Sequence, residues 1–517
     1  MYKNLKFLFI LPFVFAACSE DIKEDVAQEV PITAGSADFS KFVALGNSLT
    51  AGFSDGALFI AGQNNAYPKL MADQFALAGG GEFKTPMMND NVGGLLLGGN
   101  QLPGFGPRLV FNGAAPVPLP NGTPTTEIGV PLTGPFNNLG VPGAKSFHLL
   151  APGYGNVAGL ANGTANPYFV RFRSAANTSV VADAMAQNPT FFSLWIGNND
   201  VLGYALSGGD GSNPITSEAM FTQAYTTLVN TLTSNGAKGV VANIPDVSTI
   251  AHFRVVPFNA LDAASPSFGP QIQTLNNTFA ALNAAYASIQ QDNPASNATN
   301  RSIVFSATGR SPIVIFDETL PNLAPQLVPK LMALGFPAAT AGLFANQFGQ
   351  SRQATAADLF VLPASSVIGT LNNAYFQSLV GQGVPAATAG QLSVNGVTLP
   401  LADRWVLLPS ERAEIQAATD VFNGIIKAAA DQAGLAYVDA NATLKQLSTG
   451  GVRFDNYNMT AAFVQGGAFS LDGVHLTARA NAYIANQFLM AINSTYGSTL
   501  RMYKPGDFSI SYPAFLQ

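Results

Sequence analysis

The chain has 517 residues, 48% of them hydrophobic and only 10% charged, with a formal net charge of −6 and a sequence pI near 5.1. An acidic balance without a basic stripe excludes phosphate-neutralising nucleic-acid binding, and a single cysteine excludes both a disulfide framework and a cysteine zinc site. Mean hydropathy is +0.21, yet no interior run reaches the ~20 apolar residues of a membrane-spanning helix, and the alternating segments of a membrane β-barrel are missing.

The first element in chain order is a leader. Lys3 and Lys6 precede the apolar run Phe7 to Val14, followed by Phe15-Ala16-Ala17-Cys18. A charged start, a short hydrophobic core and small residues before a cut describe a secretory signal peptide. Ending at the chain's one cysteine, it resembles the lipobox of bacterial lipoproteins, with Phe15 in place of the usual Leu; the alternative is an ordinary secretory peptide. The resemblance implies removal of residues 1–17 and diacylglyceryl modification of Cys18, a multi-chain anchor worth ~0.8 kcal/mol per buried methylene. Residues 18–40 are polar and acidic without apolar periodicity, which predicts a flexible tether. With Ser19 rather than aspartate after the cysteine, the expected location is the outer membrane of a bacterium, with the cell surface as a further reading.

From residue 41 onward, short apolar runs alternate with helical stretches. FVAL at 42–45, TFFSLWIG at 190–197, GVVANIPD at 239–246 and LAYVDAN at 435–441 read as buried strands. Helical patterns cover 218–234, 410–432 and the segment from Ala478. This alternation predicts an α/β fold on a parallel sheet covered on both faces, with sites at the carboxyl ends of the strands. Two regions interrupt it. Residues 54–135 are rich in Gly, Pro and Asn and predict a long irregular excursion. Residues 300–400 contain GFPAATAG at 335–342 and GVPAATAG at 383–390, with Gly placed to end one helix and Pro to open the next. They read as two helical hairpins capping the core, or as chance similarity in an alanine-rich stretch.

The chemistry-bearing residues are few. Ser48, in KFVALGNSLTAGFSDG, sits in the bend after the first strand, where Gly, Asn and Ser are ordinary turn residues and also the setting of an exposed nucleophile. Only three histidines exist. His475, in LDGVHLT, follows Asp472 by three residues, a spacing that lets a carboxylate hold the imidazole Nδ1 and leaves Nε2 as an acceptor. His148 and His252 have no acid at such a spacing and read as structural; nor do three scattered histidines make a zinc pattern. Acyl transfer also needs donors for a developing oxyanion. NNLGVPGAKS at 137–146 offers the Gly143 N–H, unobstructed by a side chain, and GNND at 197–200 offers the Asn199 amide.

In the order G-x-S-L, N-x-G-x-x-G, G-x-N-D and D-x-x-H, these stretches resemble the SGNH hydrolase superfamily of GDSL-type esterases and lipases. The resemblance covers roughly 41–53, 136–253 and 402–495, and implies a three-layer α/β/α sandwich, flavodoxin-like, for the domain 41–517 with insertions at 54–135 and 300–400. It implies Ser48 as nucleophile, Asp472 and His475 completing the triad, and Ser48 N–H, Gly143 and Asn199 as the oxyanion hole. Asn47 departs from the family's usual Asp, an exchange expected to retune the turn. Thr50 breaks the G-x-S-x-G of an α/β-hydrolase. The implied activity is hydrolysis of carboxylic esters, of lipids or of acyl or acetyl groups, without metal or cofactor. Two rivals are an O-acyltransferase acting on cell-surface glycan and an inactive lipoprotein that binds glycan or lipid on the same scaffold.

Overall fold

The computed structural model describes residues 31–516. The expected signal peptide, Cys18 and the first part of the expected tether lie outside the described residues. Residues 31–40 are not a free tether. Ala37 and Phe39 are buried, Ser36 N–H donates to the Tyr496 carbonyl at 2.8 Å, and the Phe39 ring stacks on Phe75 at 4.0 Å. Two apolar side chains among polar neighbours are enough to dock the strap, although they form no periodic pattern.

Five parallel strands form the central sheet: β1 (Phe42–Gly46), β2 (Asn138–Gly140), β3 (Phe191–Trp195), β4 (Lys238–Ala242) and β5 (Ala436–Val438), in the spatial order β5-β4-β3-β1-β2. Alternation along each strand sends side chains to opposite faces. Phe42, Ala44, Phe191, Trp195, Val240 and Ala242 enter one core; Val43, Leu45, Phe192, Leu194 and Val241 enter the other. Both faces are therefore covered, which is why the strands read as unbroken apolar runs.

The core helices are α1 (Ser48–Ala51), α2 (Tyr67–Leu77), α3 (Asn198–Leu206), α4 (Glu218–Thr233), α5 (Pro409–Ala433), α6 (Ala440–Thr449) and α7 (Ala478–Tyr496). On the first face α2 packs against α7, with Tyr67 stacked on Phe488 at 4.7 Å. On the second, α4 packs against α5, with Phe221 stacked on Phe422 at 4.0 Å. Both ends of α5 follow local rules. Pro409 opens it, Glu411 Oε2 accepts from the Leu408 N–H at 2.6 Å, and Gly434 closes it at φ +62.

Two boundaries need correction. The excursion 54–135 is not irregular throughout, since it contains the core helix α2; its remainder holds a short helix and two small β-ribbons. The second insertion begins before residue 300, with a 21-residue helix over Ile272–Asp292. The two hairpins are present: Ala324–Ala333 with Ala338–Phe348, and Asn373–Gly381 with Ala386–Gln391. Each PAATAG copy opens its second helix just after a proline. No described helix is long and apolar enough to cross a membrane.

Candidate active site

At Gly46, the last residue of β1, the chain passes too close to its neighbours for a side chain. A Cβ at Gly46 would lie 2.1 Å from Thr50 Oγ1 and 2.5 Å from the Trp195 carbonyl oxygen. Asn47 then caps α1, its Oδ1 accepting from the Leu49 N–H at 3.0 Å. That is the acceptor role an Asp would fill at the same position, so the exchange of Asp for Asn keeps the turn and removes a charge. Ser48 is the first residue of α1 and 8% exposed.

Ser48 Oγ lies 2.8 Å from His475 Nε2, and His475 Nδ1 lies 2.8 Å from Asp472 Oδ2. The three residues are in line although Ser48 and His475 are 427 positions apart. Because Asp472 accepts, Nδ1 carries the proton and Nε2 is the acceptor for the serine hydroxyl. Asp472 is held on both oxygens. Oδ1 accepts from Ser470 Oγ (3.1 Å) and from the backbone N–H groups of Val474 and His475 (2.9 Å each); Oδ2 also accepts from the Gly56 N–H at 2.9 Å. Burial alone would raise this carboxyl, but the His475 imidazole and the surrounding N–H donors outweigh it and hold the group well below the usual carboxylate range. Phe53 packs on the imidazole with ring centroids 4.5 Å apart.

The donor side is assembled from two further strand ends. Gly140 pairs with Gly46, and Val141 N–H donates to the Gly46 carbonyl at 3.0 Å, which brings the loop 141–146 beside Ser48. Gly143 adopts φ +82, a conformation that favours glycine, and its N–H makes no hydrogen bond among the described residues. Asn199 Nδ2 donates one hydrogen to the Ala144 carbonyl at 2.9 Å and keeps the other. Asp200 fixes the two pieces together. It is buried, and its carboxyl accepts from both the Ser146 N–H and the Ser146 hydroxyl at 2.8 Å. Asn166 adds a second brace, donating to the Pro142 carbonyl at 2.7 Å. Neither Asp200 nor Asn166 was singled out from sequence, although Asp200 lies in the quoted GNND.

His148 is structural. It stacks on Tyr154 at 4.6 Å, its Nδ1 accepts from the Lys145 N–H at 3.0 Å, and burial together with Lys145 lowers it to about 4. His252 backs the loop that carries Asp472 and His475, its N–H donating to the Gly473 carbonyl at 2.9 Å.

Beside Ser48 opens a narrow pocket. Ser48, Asn199 and His475 line its polar end; Trp195, Leu202, Ile250, Leu444, Leu447 and Phe469 wall the rest. Its walls come from the loop after β4, from α6 and from α7. No lining residue comes from 300–400, so the two hairpins do not cap this serine; they flank a separate cleft lined by Thr340 and Thr388 of the repeats.

One acidic cluster stands apart from this site. Glu318, Asp403 and Glu411 bring carboxylate oxygens within 4.8 Å of one another, the one such group among the described residues. Burial raises Asp403 to about 7 and Glu411 to about 8, and the neighbouring carboxylates add to both shifts. The folded chain thus binds these protons more tightly than the unfolded chain. The stability they allow is fully present below the ordinary carboxylate range and is lost as pH rises through about 7 to 8. Thermal melting at pH 5.5 and 8.5 checks this: Glu318→Gln is expected to raise Tm more at the higher pH, and an equal change at both would contradict it.

Comparison of the chain with protein-family models, with curated proteins and with solved structures finds no match.

Proposed function

We propose that this chain is a serine carboxylic-ester hydrolase of the SGNH type, acting on esters with aliphatic acyl chains. The observation that carries the reading is the unbroken relay Ser48–His475–Asp472, with 2.8 Å at each step. Ser48 Oγ attacks the ester carbonyl while His475 Nε2 takes its proton. Ser48 N–H, Gly143 N–H and the free Asn199 hydrogen stabilise the oxyanion. The tetrahedral intermediate collapses as the imidazolium returns the proton to the leaving alcohol. Water then repeats the sequence on the acyl-enzyme. Ser48, Gly143 and Asn199 follow the ends of β1, β2 and β3 and the Asp472–His475 loop precedes α7, an arrangement that fits the α/β/α sandwich of the family.

The pocket supports an acyl substrate over a sugar. Its far walls are apolar, and beyond the catalytic groups few polar atoms face a ligand. The leaving alcohol must depart before water enters, whereas the acyl group stays on Ser48 through both steps, so the apolar slot suits the acyl chain. The leader and Cys18 support export and anchoring of the enzyme at a bacterial outer membrane.

Two measurements on the purified chain test this. A fluorophosphonate is expected to label Ser48 alone. In a series of p-nitrophenyl esters, hexanoate is expected to exceed acetate in kcat/KM by about tenfold or more, below the ceiling set by ~0.8 kcal/mol per buried methylene. No labelling with no turnover would sink the hydrolase reading; acetate equal to hexanoate would remove the acyl slot. Acceleration by added sugar acceptors would favour the acyltransferase.

A further inference from the structure

We propose that Asp55 is a positioning residue of this catalytic centre, clasping the loop that carries Asp472 and holding it to the 54–135 excursion, to which Asp55 and Arg108 both belong. The inference rests on the hydrolase reading above and goes beyond it, because no part of the triad or oxyanion hole requires a second acid. Ser54-Asp55-Gly56 reads as an ordinary turn, and an ordinary turn would expose its aspartate. Here Asp55 is 1% exposed and adopts φ +49, the left-handed region in which few non-glycine residues sit.

Four hydrogen bonds join this turn to the loop that carries Asp472 and His475, one of them from Ser54 Oγ to the Leu476 carbonyl at 3.1 Å. Asp55 N–H donates to Ser470 Oγ at 2.9 Å, Gly56 N–H to Asp472 Oδ2 at 2.9 Å, and Leu471 N–H to Asp55 Oδ1 at 2.9 Å. Ser470 passes its own hydrogen to Asp472 Oδ1. The turn therefore touches the triad acid on one oxygen directly and on the other through one hydroxyl. Asp55 Oδ2 has no hydrogen-bond partner among the described residues.

Behind it sits Arg108, fully buried, with Nη1 also unpartnered, Nε donating to the Asn91 carbonyl at 2.8 Å and Nη2 to the Pro513 carbonyl at 2.6 Å. Its guanidinium packs over the Phe59 ring, 5.2 Å from the centroid. The charged and titratable groups facing Asp55 are Asp472 on the catalytic loop, Arg108 from the excursion and Tyr512 from the C-terminal segment. Burial and then Asp472 raise the Asp55 carboxyl, Leu471 N–H and Arg108 oppose them, and the balance is about 7.

The position acts in two ways. Its acceptor oxygen fixes Leu471, and with it the backbone next to Asp472. Its charge, absent at low pH and present at high pH, adds a second negative group behind the triad, which favours the imidazolium formed in each transition state.

The test measures kcat and KM for p-nitrophenyl hexanoate across about pH 6 to 9, with thermal melting, for the parent, Asp55→Asn and Asp55→Gly. Asparagine tolerates the left-handed backbone and keeps an acceptor for Leu471. Its kcat is expected within about threefold of the parent at pH 6 and about tenfold lower at pH 8.5, a coupling of about one pKa unit, with KM unmoved. Glycine keeps the backbone but loses both the acceptor and the charge, and is expected to lower kcat about tenfold at pH 6 and about a hundredfold at pH 8.5. A merely structural role would lower Tm and leave the Asn-to-parent ratio flat with pH. A flat ratio, or Asp55→Gly with the parent's kcat, overturns the proposal. A parent that neither turns over nor labels at Ser48 overturns the hydrolase reading first and this inference with it.

Discussion

Ser48→Ala is expected to lower kcat for ester hydrolysis by about 10⁴-fold or more while the fold stays intact. Serine hydrolases that lose the nucleophile retain only what the oxyanion donors and binding contribute, and their catalytic groups act as a unit. The structure explains why the change stays local. Ser48 Oγ has one hydrogen-bond partner, His475 Nε2, and alanine is the best residue for the first turn of a helix interior. Asn47 continues to cap α1 through its own Oδ1, and His475 keeps its bond to Asp472. Comparing kcat, thermal melting and phosphonate labelling of the variant separates loss of the nucleophile from loss of structure. Turnover within about tenfold of the parent at unchanged Tm would place the nucleophile elsewhere.

Legibility in the sequence followed the range of the physics involved. The runs at β1, β3, β4 and β5 were readable because a strand covered on both faces is apolar at every position. β2 was only partly legible, because Asn138 and Gly140 belong to a stretch that reads as a glycine-rich loop. Helix α2 was hidden in the same way, by the Gly- and Pro-rich composition on either side of it. Asp472 and His475 were legible as a pair since their contact is local. Their contact with Ser48 spans the whole domain, and no spacing encodes it; only the resemblance joined the two ends. The PAATAG hairpins show the converse. Their helix starts were readable from Gly and Pro, but where the hairpins dock depends on long-range packing, and they lie away from the Ser48 pocket.

The same distinction accounts for the residues that sequence passed over. Asp55, Arg108 and Ser470 are far apart in the chain and belong to no motif, so each reads as turn or loop. What unites them is burial: a carboxyl and a guanidinium, both withdrawn from water, against the back of one loop. Burying charge without good compensation is costly, so such a group next to a triad points to a role beyond filling space. Asp55 and Arg108 both belong to the 54–135 excursion, so the proposal assigns that excursion a role at the rear of the site.

Asn199→Ala is expected to lower kcat by about 10²–10³-fold with little change in KM, the signature of a donor used chiefly in the transition state. The geometry leaves Asn199 free for that use and for little else. One Nδ2 hydrogen is bound to the Ala144 carbonyl at 2.9 Å, which orients the amide, and the other has no acceptor among the described residues. Ser48 N–H is one of the first N–H groups of α1, which have no intrahelical partner, and Gly143 N–H is unpaired at φ +82. Three N–H donors, each with a free hydrogen and each just after one of the strands β1, β2 and β3, suit an oxygen that gains charge during reaction. Asn199→Asp tests the sign of that charge: a carboxylate would oppose the oxyanion, and its kcat is expected to fall at least as far as that of the alanine variant. Should both variants keep kcat within about threefold of the parent, Asn199 would be a brace for the Ala144 loop, and the oxyanion would rest on the two backbone N–H groups alone.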